Sequence, residues 1–226
     1  MNSLKTNFDF VINLSGQISN NNEMNKTILQ GNNNLITYFK KKKAKLIFVS
    51  TSLVYKGSDG ILLENSNLFA NSDYSKYKII SENMYKKYSN NYVIFRLGNV
   101  YDENFNKKGI LKNIIESIKL GRVLKIENLK AARSYVHVED FCRAIYFIFK
   151  KSSGSEKSIY NFGKENLSNL DIIKLYSDKF KFNVKSSNRY NKRDPVIKIS
   201  SKKFIKKYNF TYKNSLTNTI KNYLKK

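Results

Sequence analysis

The sequence predicts an α/β fold organised around a parallel sheet. Four short apolar runs have the length of buried strands, and helical patterns stand between and after them, so successive strands must be joined by crossovers. Composition agrees: 41% hydrophobic and 14% aromatic residues over 226 positions suffice for one sizeable core, or one core with a small lobe.

The first run, residues 8–14, ends at Ser15-Gly16 as a buried strand ends in a turn. An Asn-rich loop is expected next, then a helix with Ile28, Leu35, Ile36 and Phe39 on its apolar face. Leu46-Ile47-Phe48-Val49 reads as the second strand, stopping at Ser50-Thr51-Ser52. Residues 74–88 place Tyr77, Ile80, Met84 and Tyr88 at three- and four-residue spacing, which predicts an amphipathic helix buried on that stripe. Residues 92–95 are the third strand, 110–120 and 141–149 are helices, and 159–162 are the fourth strand. Ser168 is positioned to cap a helix over 169–180, and residues 201–208 and 215–224 close the chain as helices. In parallel sheets ligands bind beyond the carboxyl ends of strands. That singles out Ser15-Gly16, Ser50-Thr51-Ser52 and Leu97-Gly98-Asn99.

The formal charge is +25, which raises nucleic acid as a partner. Only six of the 42 basic residues are arginine, the residue that reads bases and grips phosphate bidentately. The charge therefore reads as solvated lysine surface, and nucleic acid is not the expected partner. No apolar run approaches the length of about 18 residues that a membrane helix needs, and Cys142 is the only cysteine, so a disulfide framework and a thiolate metal cluster are excluded. The chain reads as cytoplasmic with no metal centre, and His137, the only histidine, as a satisfied structural residue.

Tyr74 and Lys78 stand four apart on the third-strand-proximal helix, hence on one face. An ammonium beside a phenol favours phenolate and is expected to lower its pKa towards neutrality. Such a Tyr can exchange the proton of a sugar hydroxyl. Spacing alone is weak, since Tyr38/Lys42, Tyr146/Lys150 and Tyr160/Lys164 share it. Tyr74 is set apart by opening a helix after a strand that ends in hydroxyl residues.

Five ordered segments resemble the extended short-chain dehydrogenase/reductase family, the NAD-dependent epimerases and dehydratases of nucleotide-sugars. They are residues 9–16, Phe48-Val49-Ser50-Thr51-Ser52-Leu53-Val54-Tyr55, the Tyr74/Lys78/Glu82 helix, Arg96-Leu97-Gly98-Asn99-Val100-Tyr101, and Arg133-Ser134-Tyr135-Val136-His137-Val138-Glu139-Asp140. The resemblance implies a Rossmann-like parallel sheet with a small C-terminal α/β substrate lobe. Residues 1–104 would be the remaining NAD(P)-binding part and 105–226 mostly the lobe, with 133–163 returning to the first. It implies Tyr74, Lys78 and Thr51 as catalytic residues. Leu14, Ser15, Gly16, Tyr74, Lys78 and Gly98 would touch NAD or NADP. Thr51, Asn99, Arg133 and a tail arginine, Arg193 (less surely Arg189), would bind a nucleotide-sugar, the two arginines on its diphosphate. It also allows a homodimer.

Two departures qualify the implied activity. No Gly-x-x-Gly-x-x-Gly turn occurs, Gly57-Ser58-Asp59-Gly60 being the nearest glycine pair. The resemblance begins at the family's fourth strand, so the N-terminal strands are expected to be missing: a truncated or frameshifted gene, a chain complemented by an upstream polypeptide, or an inactive relic that keeps a sugar-nucleotide site. Asp102 also follows Val100-Tyr101 where the family has glycine. Sugar dehydratases of the family place Asp and Glu after the catalytic Thr, and here Ser52 and Leu53 stand there. Dehydration is disfavoured, as is epimerisation at C3 and C5, which uses a Cys and a His near the sugar. A 4-epimerase or a 4-ketoreductase remains.

Overall fold

The computed structural model describes residues 8–16, 21–104, 109–151, 154–178, 180–186 and 195–223. β1 (Phe10–Asn13) is followed by α1 (Asn21–Met24), a π-helical stretch (Asn25–Gln30) and α2 (Gly31–Phe39). β2 (Lys45–Thr51) ends in a 3-10 turn (Ser52–Val54), and β3 (Ile61–Leu62) precedes α3 (Asp73–Tyr88). Next come β4 (Tyr92–Leu97), β5 (Asn99–Tyr101), α4 (Ile110–Leu120), β6 (Leu124–Ile126), β7 (Ala132–His137) and α5 (Val138–Lys151). β8 (Lys157–Phe162), β9 (Glu165–Ser168), α6 (Asn169–Ser177), β10 (Val184–Ser186), β11 (Lys198–Ile199), α7 (Lys202–Tyr208) and α8 (Leu216–Tyr223) complete the chain.

Four strands pair in parallel in the order β1-β2-β4-β8, the α/β architecture the sequence predicts. β2 and β4 lie inside the sheet and are apolar on both faces because helices cover both. Ile47, Val93 and Phe95 meet Phe141, Ile145 and Phe204 on one side. Leu46, Phe48 and Ile94 meet Leu35, Ile36 and Tyr85 on the other. Each such aliphatic or aromatic side chain contributes about 1.5–3 kcal/mol on burial. A second sheet, β5-β7-β9, is mixed, with β5 and β7 parallel and β9 antiparallel. Its Tyr101 and Tyr135 pack with Ile114, Ile172, Tyr176 and Leu216 from α4, α6 and α8. Of residues 133–163, β8 thus joins the first sheet while β7 belongs to the second. Among the described residues no helix is long and apolar enough to cross a membrane.

The structure departs from the sequence reading in two places. The Asn-rich tract is helical from Asn21 onwards rather than a loop. Asn32 is buried there, accepting from Asn13 Nδ2 at 2.8 Å and donating to Ser81 Oγ at 3.2 Å and to the Ile28 carbonyl. In α3 the buried face is polar: Ser75, Lys78, Ser81, Glu82 and Tyr85. Ile80 and Tyr88, expected inside, are 37% and 41% exposed. The helix is rotated by its polar partners, and those partners lie beside the cleft.

Candidate active site

The carboxyl ends of β1, β2 and β4 open into a cleft of about 480 Å³, roofed by the start of α3 and flanked by β5 and the start of α4. Leu14, Gly16, Thr51, Tyr74, Lys78, Gly98 and Asn99 all line it, so one site collects most of the residues singled out in the sequence.

Thr51 ends β2 and is 9% exposed. Its Oγ1 accepts the Leu53 N–H at 3.2 Å, capping the 3-10 turn, and this leaves its O–H free to donate into the cleft. Tyr74 is the second residue of α3. The helix is started by Ser72, which accepts the Ser75 N–H while the Ser75 hydroxyl accepts the Ser72 N–H, a reciprocal cap. One turn on, Lys78 is 2% exposed and its Nζ donates to the carbonyls of Ser15 and Val49, each at 2.8 Å. It also sits 4.7 Å from the centroid of Phe48 and 5.6 Å from that of Tyr74.

Gly16 faces this pair: a Cβ there would lie 3.5 Å from Lys78 Nζ and 3.6 Å from the Tyr74 hydroxyl. Ser15 Oγ is buried with no hydrogen-bond partner. At Gly98 a Cβ would stand 2.6 Å from the Ser134 carbonyl oxygen, so only glycine lets the end of β4 approach β7 this closely. Asn99 is exposed to the cleft and hydrogen-bonds the Tyr135 hydroxyl.

Burial sets the electrostatics. It drives the Lys78 ammonium down from 10.5 to about 8, with Glu82 opposing. The Tyr74 phenol is pushed up by burial, contrary to the lowering expected from its i+4 lysine. The reason is geometric: the ammonium is drawn to two carbonyls, and removal from water costs the phenolate more than the neighbouring charge returns. Tyr135 is raised by burial to about 12, with Arg133 and Asn99 acting against the rise.

Arg133 is not among the residues lining the cleft; its guanidinium donates to the carbonyls of Ala132, at 2.9 Å, and Pro195. Arg189 and Arg193 lie outside the described residues. His137 is buried at the end of β7, and its Nδ1 accepts the Glu139 N–H at 3.3 Å. Its Nε2 lies 3.2 Å from Glu103 Oε1.

The cleft also holds residues the sequence reading did not assign to it. Tyr101, Asp102, Ile110, Leu111, Tyr135 and Val138 all line it. Tyr135 stood within a recognised segment, and the β5–β7 pairing Asn99↔Tyr135 is what brings it beside Asn99. Leu53 lines the wall next to Thr51.

The sequence model of the NAD dependent epimerase/dehydratase family matches residues 2–163. No curated protein matches the sequence. Among solved structures, MoeE5 in complex with UDP-glucuronic acid and NAD is similar, with TM-score 0.83 and 16% identity over 99% of this chain and 83% of that one. UDP-glucuronic acid 4-epimerase from Bacillus cereus gives 0.80 at 20% identity, over 96% of this chain and 75% of that one. UDP-glucose 4-epimerase from Thermotoga maritima gives 0.78 at 22%, over 96% and 77%. At such identities the likeness speaks to the fold.

Proposed function

The chain belongs to the NAD dependent epimerase/dehydratase family, and from that membership we propose that it acts on a nucleotide-sugar with NAD, at the sugar C4, as a 4-epimerase or 4-ketoreductase. The observation that carries the reading is the meeting of the Thr51 hydroxyl, the Tyr74 phenol and the Lys78 ammonium in one cleft that continues to Asn99. Solved structures of the same fold hold NAD together with UDP-glucuronic acid.

The residues fit one end of the cofactor. Ser15 Oγ is an unpartnered buried hydroxyl, Gly16 leaves open the space facing Tyr74 and Lys78, and Lys78 Nζ has a third proton beyond the two given to carbonyls. These groups would hold the nicotinamide and its ribose. When bound, the cofactor would supply, in its oxidised form, a hydride acceptor for a C4 alcohol or, in its reduced form, a hydride donor for a C4 ketone.

Within the cleft Thr51 donates its free proton to O4 and orients it. The Tyr74 phenol first releases its own proton to solvent; its phenolate oxygen then takes the O4 proton as the carbon is oxidised and returns it on reduction. Lys78, held by Ser15 and Val49, opposes the cost of negative charge on Tyr74. Asn99 and Tyr135, bonded to each other, present a polar wall to the substrate, and Arg133 would reach its diphosphate only by exchanging backbone carbonyls for phosphate oxygens. Leu53 beside Thr51 cannot move protons, which favours simple C4 chemistry over elimination of water.

The test is turnover by the full chain with UDP-glucose, UDP-glucuronic acid and dTDP-glucose in the presence of NAD. Tyr74→Phe should cut kcat by roughly 10²–10⁴-fold while leaving nucleotide-sugar binding intact. Full activity of that variant would refute the mechanism.

One observation favours a second reading, a sugar-nucleotide-binding module without turnover: the sequence carries no Gly-x-x-Gly-x-x-Gly. Gly57 does not substitute for it, since its Cβ position is 2.5 Å from Pro195 Cβ and so is packed against the chain. Calorimetry separates the readings: UDP binding with no NAD binding would favour the module.

A further inference from the structure

A buried ionic row starts at Ser50, which lines the cleft, and runs from it into the protein. Ser50, Arg96 and Asn161 are in register across β2, β4 and β8 and are 3%, 2% and 0% exposed. Glu82 of α3, 0% exposed, descends onto this row. Its Oε1 accepts from Ser50 Oγ at 2.7 Å, and Arg96 grips the carboxylate from Nε at 3.1 Å and Nη2 at 2.7 Å. The remaining Arg96 nitrogen donates to the Tyr55 hydroxyl at 2.9 Å and the Glu64 carbonyl at 2.8 Å, and Tyr55 in turn donates to Asn161 at 2.6 Å. Every member is satisfied, which a buried network requires if it is not to destabilise.

The spacing on α3 gives this row its consequence. Lys78 and Glu82 are four apart, one turn of helix. Lys78 bonds the carbonyl of Val49 and Glu82 the side chain of Ser50, adjacent residues of β2. The helix is thereby fixed in rotation and in height against β2, which places Tyr74, a further turn towards the N-terminus, over the Thr51 end of the strand. We infer that Glu82, clamped by Arg96, is a positioning residue: it seats the Tyr74/Lys78 turn against β2 and places a carboxylate one helical turn from the Lys78 side chain. Among the described residues, the other groups that contact Lys78 are neutral: the Ser15 carbonyl from the turn after β1, the Val49 carbonyl and Phe48 ring from β2, and the Tyr74 ring on α3. Arg96 on β4 reaches the lysine only through Glu82. Burial that takes Lys78 to about 8, with Glu82 acting in the opposite sense, agrees with this division of labour.

The role assigned to the pair rests on the proposed function, but its test does not require turnover. Label lysine Cε with ¹³C in the full chain, assign Lys78 by loss of its resonance in Lys78→Met, and titrate. Glu82→Gln should lower the Lys78 midpoint by about 1 unit or more, and Glu82→Asp, which keeps the charge, should hold it near the wild-type value. Because Glu82→Gln leaves the Arg96 charge buried and unpaired, it can fail to fold. Glu82→Gln/Arg96→Met removes both charges and should still shift the midpoint down, by less. An unchanged midpoint in Glu82→Gln, or in Glu82→Gln/Arg96→Met where the single variant does not fold, would overturn the inference. If turnover is present, the alkaline limb of its pH profile should move down with the midpoint in Glu82→Gln, whereas a merely structural loss would scale activity equally at every pH. Absence of turnover in wild type would count against the proposed reaction alone.

Discussion

At Lys78 burial and the charge of Glu82 oppose each other, burial prevailing. The lysine is 2% exposed and its pKa falls from 10.5 in the unfolded chain to about 8 in the folded one. Between these values the unfolded chain holds a proton that the folded chain has released, so the Lys78 contribution to stability rises with pH across that window. A difference of about 2.5 units corresponds to roughly 3 kcal/mol. Urea unfolding of wild type and Lys78→Met at pH 7 to 10.5 should show their stability difference moving in favour of wild type by about that amount. A parallel pair of curves would mean that Lys78 keeps an ordinary proton. Two glycines offer a second contrast. Gly98→Ala drives a Cβ to 2.6 Å from the Ser134 carbonyl, backbone against backbone, and should cost about 1–3 kcal/mol in thermal melts. Gly16→Ala meets nothing nearer than 3.5 Å and should leave the melting temperature unchanged. Position after a strand that ends in hydroxyl residues, together with the family resemblance, made Tyr74, Lys78 and Thr51 legible as candidates in the sequence; solvation was not legible, because the burial that raises the Tyr74 phenol is set by tertiary packing and not by local pattern.

Among elements, α3 shows where pattern reading succeeds and where it stops. Its bounds follow from the sequence, yet the stripe Tyr77, Ile80, Met84 and Tyr88 is not the buried one, because periodicity registers apolar residues and α3 is seated by Lys78, Ser81 and Glu82 on polar partners. Interior strands β2 and β4 were legible because both of their faces are apolar. Strands of two to four residues, such as β3, β6 and β9 to β11, are too short to carry a period and exist only through pairing. Order at the start of α3 depends on the Ser72–Ser75 cap. Ser72→Ala should cost about 1 kcal/mol in chemical unfolding. As Tyr74 lies in the first turn, the same change should lower kcat more than it alters KM; an equal loss in both would show that the cap does not steer the phenol.

For the whole molecule, +25 formal charges on 226 residues put self-repulsion against a sheet edge that invites association. β1 is the outer strand of the four-stranded sheet among the described residues, and on it Ile12 is 41% exposed, followed by Leu14 at 67%. Beside it on α5, Tyr146 and Phe149 are 54% and 39% exposed. An unpaired edge with apolar side chains pairs readily with another chain unless charge prevents it. Salt therefore acts in two senses. With a Debye length of about 10 Å at 0.1 M, screening relieves repulsion within one molecule and should raise its melting temperature, by about 2–4 °C for each kcal/mol at this chain length. The same screening removes repulsion between molecules and exposes the edge to pairing. Raising NaCl from low concentration should thus increase the melting temperature of dilute protein while increasing light scattering of concentrated protein. Ile12→Lys separates the two effects, since a lysine on an edge strand blocks edge-to-edge pairing and an exposed site tolerates it. That variant should keep the salt-dependent rise in melting temperature and lose the concentration-dependent scattering. Scattering undiminished in Ile12→Lys would place the association elsewhere than β1.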